Sequence, residues 1–174
     1  MTSVRDAAAA REHLYHEVVE SFGAPLGRLA RAYEPDQDRR RDLLQEIHLA
    51  LWRSLSVYDG RCSIRTWVYR VAHNTATSLV FRRRTPRAFV SLDDLDGSAL
   101  PADRSDPNRG LAVARVFELV QRLRPLERQV MLLYLEGCAA GEIGDITGLS
   151  PGHVATKIHR IKQVLTRQFH GELP

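Results

Sequence analysis

Apolar residues recur every three or four positions along most of the chain, which is the period of an α-helix. The segment DRRRDLLQEIHLALWRSL has the clearest pattern, because its apolar residues are four apart and define one buried face. Those residues are Leu43, Ile47, Leu51 and Leu55. The pattern predicts a strong helix that packs this face against a core.

The helical pattern extends to both sides of this segment. Upstream, VRDAAAAREHLYHEVVESFGAPLGRLARAY predicts one or two amphipathic helices, interrupted near Gly23 to Pro25 because proline cannot continue the hydrogen-bond ladder. Downstream, Asp59 and Gly60 break the pattern, and IRTWVYRVAHNTATSLVFRRR resumes it. The buried stripe predicted for this last helix contains Trp67, Val71 and Leu79.

The character of the sequence changes between residues 85 and 110, where prolines, glycines, serines and acids predominate. A structureless stretch of this length argues for two domains on a tether. Helical periodicity returns in LAVARVFELVQRLR, PLERQVMLLYLEG, AAGEIGDITG and SPGHVATKIHRIKQVLTRQF, and no alternation is long enough to propose a strand. We therefore predict an all-α fold with two small helical domains, residues 1–84 and 111–174, joined by a flexible acidic linker, residues 85–110.

The net charge of +4 is modest, but the charges are sorted along the chain. The stretch from residue 60 to residue 90 has no acid and contains Arg61, Arg65, Arg70, Arg82, Arg83, Arg84 and Arg87. The linker contains Asp93, Asp94, Asp96, Asp103 and Asp106, whereas the last helix carries Lys157, Arg160, Lys162 and Arg167. Two basic helices in separate domains favour a polyanion bound at two places. The alternative is that each basic run is a solvated face.

The stretch GDITGLSPGHVATKIHR predicts a helix-turn-helix. Gly148 is suited to end one helix, whereas Ser150 is a good N-cap and Pro151 a good first residue for the next helix. Four apolar residues are spaced to turn inward, namely Val154, Ile158, Ile161 and Leu165. The outer sides then carry His153, Ala155, Thr156, Lys157, His159, Arg160 and Lys162. In DNA-binding proteins such a face enters the major groove, and an ordinary αα-hairpin is the alternative.

Cysteine usage and motif content restrict the class of function. Cys62 and Cys138 stand far apart and supply neither a disulfide framework nor a metal knuckle, which favours a reducing compartment. No apolar signal core or membrane-length run occurs, so we expect a cytoplasmic protein. No phosphate-binding loop, nucleophile elbow or zinc-protease pattern occurs, so we expect no enzyme activity, no cofactor and no metal site.

Four motifs in order carry a family resemblance, namely DLLQEIHLALWRSL, TWVYRVAHNTA, LRPLERQVMLLYLEG and GEIGDITGLSPGHVATKIHRIKQVL. With them the chain resembles the extracytoplasmic-function sigma factors of bacterial RNA polymerase, over roughly residues 11–84 and 111–170. The resemblance implies a promoter-melting domain and a helix-turn-helix domain, with core RNA polymerase, promoter DNA and an anti-sigma factor as partners. The alternative is a conventional helix-turn-helix regulator with a helical sensing or dimerisation domain.

The first motif resembles the helix that docks on the clamp helices of the polymerase's largest subunit. The candidates for this contact are Asp42, Gln45, Glu46, Trp52 and Arg53. Acids and an aromatic residue are suited to pairing with a partner helix. Trp52 lies beside the Leu51 stripe, so a place in the core is the alternative for it. We expect His48 to be a half-buried histidine rather than a ligand.

The segment SVYDGRCSIRTWVYRVAHN resembles the loop and helix that read the minus-ten element on the melted non-template strand. Melted bases are captured by stacking, by hydrogen bonds to their edges and by basic contacts to the backbone. Tyr58 and Asn74 are therefore candidates for a pocket that holds one base. His73 is a further candidate for contact with this DNA and is expected to affect base preference. The candidates for phosphate contacts are Arg61, Arg65, Arg70, Arg82, Arg83 and Arg84. Trp67 is expected in the core, as is usual for an aromatic at helical spacing.

The last helix resembles the reader of the minus-thirty-five element in duplex DNA. Its candidates are Ser150, His153, Ala155, Thr156, Lys157, His159, Arg160 and Lys162. Arg160 is suited to fork onto guanine, Thr156 to use its hydroxyl or methyl group, and His159 to donate or accept a hydrogen bond. Lys157 and Lys162 are better suited to phosphate. The family often has other residues at positions 153 and 155, so the DNA sequence read is not transferable from relatives.

The linker is long enough for both domains to bind at once. Its 26 residues extend to roughly 85 Å at about 3.3 Å each. Two turns of DNA measure roughly 68 Å at about 34 Å per turn. Two weak binding domains on one tether therefore gain avidity.

Overall fold

The computed structural model describes residues 4–83 and 109–170. Within these ranges the chain forms seven α-helices and one 3-10 turn, without a strand, and it divides into two compact units, residues 1–84 and 85–174. The predicted all-α fold is confirmed. The predicted linker lies outside the described residues except for Arg109 and Gly110, which begin a helix.

The N-terminal unit consists of α1 (Val4–Tyr33), α2 (Gln37–Ser54), a 3-10 turn (Leu55–Val57) and α3 (Ile64–Arg83). Helix α2 packs against both α1 and α3. Its four apolar residues, Leu43, Ile47, Leu51 and Leu55, are all buried. The face predicted from their spacing is therefore confirmed, and it forms the centre of this unit's core.

Helix α1 is continuous through Pro25, so the predicted interruption is wrong. Proline in a helix interior costs about 3 kcal/mol, because it removes one hydrogen bond and crowds the preceding turn. Leu26 and Leu29 follow it on the same helix, and both are buried. Burying each leucine contributes about 1.5–3 kcal/mol, which is enough to keep the helix intact on both sides of the proline.

The turn between α1 and α2 is held by side chains from the start of α2. The carboxylate of Asp36 caps α2 by accepting a hydrogen bond from the Arg39 N–H at 2.9 Å. The guanidinium of Arg40 reaches back and donates to the carbonyl oxygens of Glu34, at 3.2 Å, and Pro35, at 2.6 Å. The end of α1 and the start of α2 are therefore tied together.

Helix α3 buries a different stripe from the one predicted. Among its described side chains, the buried ones are Thr66, Val68, Tyr69, Ala72, His73, Ala76 and Val80. Trp67, Val71 and Leu79 are only half-buried, so the prediction that they form the core face is wrong. The two stripes are adjacent and both contain apolar residues, and the positions of α1 and α2 decide which one is covered.

The C-terminal unit consists of α4 (Arg109–Arg122), α5 (Pro125–Leu135), α6 (Ala140–Thr147) and α7 (Pro151–His170). These are the four helices predicted from the sequence. Helix α7 packs against both α5 and α6. The core residues include Leu123, Val130, Leu133, Ile143, Val154 and Ile161.

A buried arginine joins α4 to α5. Arg128 is only 1% exposed, and its guanidinium donates to the carbonyl oxygens of Val120, at 3.2 Å, and Leu123, at 3.1 Å. It also donates to the carbonyl of Gln121. The last carbonyls of a helix have no partner within the helix, and the C-terminus carries partial negative charge. The guanidinium of Arg128 therefore caps the C-terminus of α4, and the carbonyl groups there compensate its charge inside the core.

Candidate nucleic-acid interface

The turn between α6 and α7 has the geometry of a helix-turn-helix. Gly148 ends α6 in the left-handed conformation, with φ of 79°, and its N–H donates to the Gly144 carbonyl at 2.8 Å. The Ser150 hydroxyl accepts a hydrogen bond from the His153 N–H at 3.3 Å, and Pro151 is the first residue of α7. The predicted helix end, cap and helix start are therefore confirmed.

The turn also passes very close to α6. A Cβ placed on Gly144 would lie 2.6 Å from the backbone carbonyl oxygen of Leu149, well inside van der Waals contact. Position 144 therefore requires glycine, because any side chain there would clash with Leu149. The turn that orients α7 packs directly on the backbone of α6.

Helix α7 has the inner and outer faces that its sequence predicts. Val154, Ile161 and Leu165 are buried and Ile158 is half-buried, so the predicted inward face is confirmed. The exposed candidates are Ser150, His153, Ala155, Thr156, His159, Arg160 and Lys162. Gln163 is also exposed and lies one turn beyond His159 and Arg160 on the same side. It was not among the predicted residues, although its position on the helix could have identified it.

Several polar side chains on α7 have partners within their own domain. The Thr156 hydroxyl donates to the Gly152 carbonyl at 2.9 Å, which leaves its methyl group and oxygen lone pairs for a ligand. The imidazole Nε2 of His159 lies 3.0 Å from the side-chain nitrogen of Gln163. The Lys162 ammonium donates to the Tyr134 hydroxyl at 3.3 Å.

Lys157 of α7 faces a carboxylate from another helix of its domain. Its ammonium lies 3.9 Å from Glu127 Oε1, and the side chains are 32% and 10% exposed, respectively. Glu127 lies in the first turn of α5, so this ion pair joins α7 to α5. Lys157 therefore has a structural contact in addition to its predicted contact with phosphate.

The loop before α3 is organised by two aromatic rings. The Tyr58 hydroxyl donates to the Cys62 carbonyl at 2.8 Å, and the Tyr58 ring packs on Trp67 with centroids 5.4 Å apart. The indole N–H of Trp67 donates to the Ser54 hydroxyl at 3.1 Å. Trp67 therefore supports the loop from a half-buried position instead of lying fully in the core.

Asn74 is exposed on α3, on the side that carries Trp67. The two residues are seven positions apart, which is close to two helical turns and about 10 Å along the axis. Because Tyr58 packs on Trp67, Tyr58 and Asn74 lie toward the same side of this helix. That arrangement agrees with Tyr58 and Asn74 both facing the same single strand.

The arginines near this surface are placed as follows. Arg61 and Arg82 are exposed, whereas Arg65 and Arg70 are half-buried. Arg61 pairs with Asp59 at 2.9 Å, and an exposed pair of this kind is weak enough to be exchanged for a phosphate. The side chain of Arg83, and Arg84 as a whole, lie outside the described residues.

His73 is buried, which corrects the prediction that it contacts DNA. Its side chain faces the core with 2% exposure, and Nδ1 shares a hydrogen bond of 3.0 Å with the hydroxyl of the buried Tyr33. Burial lowers the pKa of His73 from 6.5 to about 3, so the ring is neutral at physiological pH. His73 lies one turn after Tyr69 in the buried stripe of α3. The sequence pattern had predicted the neighbouring stripe, which contains Trp67 and Val71, as the buried one.

The predicted docking residues lie on α2. Asp42, Gln45, Glu46 and Arg53 are exposed. Trp52 is half-buried, because Arg11 of α1 lies over its ring at 4.2 Å and Tyr15 meets the ring edge-on at 5.3 Å. Packing against α1 therefore accounts for much of the Trp52 surface.

His48 is half-buried on α2, as predicted. Its Nδ1 lies 3.1 Å from the Tyr15 hydroxyl, and burial lowers the pKa of its imidazole. Among the described residues, no three His, Cys, Asp or Glu side chains are grouped so that they could hold a metal ion. No helix in the described ranges is long and apolar enough to cross a bilayer.

Two family models match the chain. Sigma-70 region 2 matches residues 18–85, which include α2, the loop and all of α3. Sigma-70 region 4 matches residues 114–165, which include the helix-turn-helix. The two candidate DNA surfaces therefore fall within two separate matches.

Two curated relatives match along most of their length. The sigma factor CarQ of Myxococcus xanthus is 33% identical over 135 residues, which cover 76% of this chain and 75% of CarQ. The sigma factor NccH of Alcaligenes xylosoxydans xylosoxydans is 23% identical over 93% of this chain and 90% of NccH.

Solved structures share the fold. CnrH in complex with the cytosolic domain of CnrY has a TM-score of 0.70 at 21% identity, covering 97% of this chain and 96% of CnrH. RpoE in complex with the anti-sigma factor NepR, from Bartonella quintana, has a TM-score of 0.69 at 16% identity, covering 93% of this chain and 99% of RpoE. The chain belongs to the sigma-70 family, as an extracytoplasmic-function sigma factor that directs promoter-specific transcription initiation by RNA polymerase.

Proposed function

We propose that this sigma factor holds a promoter at two places. The N-terminal domain, residues 1–84, docks on core RNA polymerase and captures the melted minus-ten element. The C-terminal domain, residues 111–174, reads the minus-thirty-five element as duplex, and residues 85–110 link the two. The observation that carries the proposal is the exposed polar face of α7, which a helix-turn-helix presents outward.

At the minus-thirty-five element, we assign base contacts to the side of α7 opposite its core. Thr156 and Arg160 are exposed there, and guanidinium groups fork onto guanine in the major groove. Gln163 adds an amide, which is suited to adenine. His153 and Ala155 lie nearer the N-terminus of the helix and contribute to the choice of sequence. Contacts with the sugar-phosphate backbone of the DNA come from Ser150, Lys157, His159 and Lys162.

At the minus-ten element, Tyr58 and Asn74 hold an unstacked base of the non-template strand. The Tyr58 ring is suited to this role because Trp67 and the Cys62 carbonyl hold it in place. Phosphates of the same strand are bound by Arg61, Arg65, Arg70 and Arg82, together with Arg83 and Arg84.

Core RNA polymerase is contacted by the exposed side of α2. Asp42, Gln45, Glu46 and Arg53 supply a mixed polar surface for the clamp helices of the largest subunit. The part of Trp52 that α1 leaves uncovered contributes apolar contact area at the same place.

The setting and regulation follow from these partners. We propose that the protein acts in the cytoplasm, where polymerase and chromosome are found, and that it works by binding, without enzyme activity and without a cofactor. In the solved structures CnrH is in complex with the cytosolic domain of CnrY, and RpoE is in complex with the anti-sigma factor NepR. We propose that an anti-sigma factor likewise holds this chain inactive.

The test is transcription in vitro by core polymerase loaded with the purified chain on fragmented genomic DNA, followed by sequencing of transcript ends. The expected result is a set of start sites that share two spaced elements and are absent without the chain. A conventional regulator would behave differently: the chain alone would footprint duplex DNA, and no promoter-specific transcript would appear with core enzyme. That result would reject the proposal.

A further inference from the structure

Helix α5 contacts two lysines of α7 through side chains that differ in charge. Glu127 and Tyr134 are seven positions apart, which is close to two helical turns, so they lie toward the same side of α5. The Glu127 carboxylate faces the ammonium of Lys157 at 3.9 Å, whereas the Tyr134 hydroxyl accepts a hydrogen bond from the ammonium of Lys162 at 3.3 Å. The first of these partners is negatively charged and the second is neutral.

The Glu127 carboxylate depends on nearby positive charge. Its side chain is only 10% exposed, and its Oε2 atom is buried without a hydrogen-bond partner among the described residues. A buried carboxylate loses its hydration, so the protein has to compensate its charge. The first turn of α5, where Glu127 lies, carries partial positive charge, and the Lys157 ammonium supplies a full one.

Lys157 lies at the edge of the face that is proposed to read DNA. It follows the exposed His153 by one turn and precedes the exposed Arg160 by one turn, and its own side chain is 32% exposed. Its ammonium therefore lies between a carboxylate of its own domain and the phosphates that this face approaches. A contact with phosphate draws the ammonium away from Glu127 and leaves a buried charge less compensated, which is unfavourable.

We infer that Glu127 competes with DNA phosphate for Lys157 and thereby lowers the affinity of the C-terminal domain for duplex DNA of any sequence. Glu127 is a positioning residue, because it acts on DNA through Lys157. The neutral Tyr134 leaves the charge of Lys162 available to phosphate, so Lys162 is the stronger backbone contact of the two lysines. This inference rests on the proposed function, because it concerns the same minus-thirty-five face.

The restraint has a consequence for selectivity. Phosphate contacts strengthen binding to every duplex, whereas base contacts such as the one proposed for Arg160 strengthen binding only to the correct one. A weaker phosphate contact at Lys157 therefore leaves a larger share of the binding free energy to the bases.

The test uses the full chain bound to core polymerase and two short labelled duplexes. One carries the minus-thirty-five element of a promoter identified by transcript sequencing, and the other carries the same bases in scrambled order. The affinity is measured at several salt concentrations. The core enzyme is the same in every sample, so differences in salt dependence between variants come from the chain.

Glu127→Gln keeps the shape of the side chain and removes its charge. It is expected to strengthen binding to both duplexes about tenfold at about 50 mM salt and about threefold at about 200 mM salt, because one added phosphate contact steepens the salt dependence by about 0.9. Glu118→Gln removes an exposed acid from α4 and changes the net charge equally, and it is expected to change affinity less than about twofold. Loss of a merely structural contact would weaken binding, so a gain separates the two roles.

A second pair of variants leaves Glu127 in place. Lys162→Gln is expected to lower the salt dependence by about 0.9, the effect of losing one phosphate contact, whereas Lys157→Gln is expected to lower it by less than half as much. In the Glu127→Gln background, Lys157→Gln is expected to have the full effect of about 0.9. The comparison of the two single lysine variants decides the question even if Glu127→Gln destabilises the fold, which circular dichroism reveals.

Two results would overturn the inference. One is a folded Glu127→Gln variant that binds no more tightly than Glu118→Gln, and the other is an equal loss of salt dependence in Lys157→Gln and Lys162→Gln. The proposed minus-thirty-five function fails separately, if the unmodified holoenzyme binds the promoter duplex no more tightly than the scrambled one.

Discussion

At the scale of single residues, three buried or half-buried polar groups organise the chain: Arg128, His73 and the Glu127–Lys157 pair. Arg128 caps α4, His73 pairs with Tyr33, and Glu127 joins α5 to α7 through Lys157. Each group depends on partners that are distant in the sequence or belong to the backbone. Substituting one of them affects the packing of a domain before it affects any contact with DNA.

We predict that His73 makes the N-terminal domain sensitive to acid. In the unfolded chain the imidazole takes up a proton below its ordinary pKa of 6.5, whereas the folded ring stays neutral down to about 3. The unfolded state binds more protons in that window, so the free energy of unfolding falls as pH falls from about 6.5 toward 3. His73 alone contributes a slope of about 1.4 kcal/mol per pH unit.

The measurement is urea unfolding between pH 7 and pH 4.5, followed by tryptophan fluorescence. Both tryptophans, Trp52 and Trp67, belong to the N-terminal unit, so the signal reports on that unit. His73→Gln keeps a hydrogen-bonding side chain beside Tyr33 but does not titrate, and its slope should be shallower than that of the unmodified chain. His153→Gln changes an exposed histidine and serves as the control. Equal slopes in all three proteins would contradict the prediction.

We predict that Arg160→Ala weakens promoter selection and leaves polymerase binding intact. Loss of a forked contact to guanine should weaken discrimination at one base pair by about 1–3 kcal/mol. The measurement compares holoenzyme binding to promoters that differ at single minus-thirty-five positions. Arg167→Ala removes the same charge two turns further along α7 and should weaken all promoters alike. A matching loss of affinity for core polymerase would show that Arg160 has another role.

Single-residue predictions from the sequence succeed where the chemistry is local. Ser150, Pro151 and Gly148 act on backbone groups within a few residues, so their roles could be predicted from neighbouring positions. The burial of Arg128 could not, because it depends on the carbonyls at the end of another helix.

At the scale of elements, the approach of the turn to α6 makes Gly144 sensitive to one added methyl group. We predict that Gly144→Ala destabilises the C-terminal domain by about 1–3 kcal/mol, because the new Cβ would press on the Leu149 carbonyl and shift the turn. Gly141→Ala is the control in the same helix, since its Cβ would meet open space and should be neutral or stabilising.

Thermal unfolding followed by circular dichroism measures this prediction. Gly144→Ala should lower the stability of the C-terminal helices and weaken binding of a minus-thirty-five duplex, with unchanged tryptophan fluorescence from the other domain. The prediction is wrong if Gly144→Ala and Gly141→Ala unfold alike.

The helices themselves show what periodicity can predict. In α2 one stripe of leucines and isoleucine admits a single buried face, and that face was predicted correctly. In α3 two neighbouring stripes are both apolar, so the buried one is chosen by the packing of α1 and α2. Pro25 indicated a break in α1. The burial of apolar side chains on both sides of Pro25 stabilises the helix by more than the missing hydrogen bond costs.

At the scale of the whole molecule, two binding domains on one chain should act together through the tether. We predict that cutting the linker strongly reduces promoter-specific initiation, although both halves remain present. The physical reason is that binding of one domain no longer raises the local concentration of the other, an effect worth about 10²–10⁴ in avidity. A protease site inserted between residues 85 and 110 allows the same holoenzyme to be measured before and after cleavage.

The control is the same protease added to the chain without the inserted site. Excess C-terminal fragment should partly restore initiation, because mass action replaces the lost tether. Unchanged initiation after complete cleavage would show that polymerase alone holds the two domains in place.

The side chain of Arg40 has a consequence for how the docking helix meets its partner. Because Arg40 donates to the carbonyls of Glu34 and Pro35, the two residues that follow α1, and Asp36 caps the start of α2, the direction of α2 is set in the unbound chain. A surface that already has its bound shape loses little conformational entropy on association. We therefore expect the polymerase to meet a preorganised helix, so that more of the contact energy at the proposed docking residues Asp42, Glu46 and Arg53 is expressed as affinity.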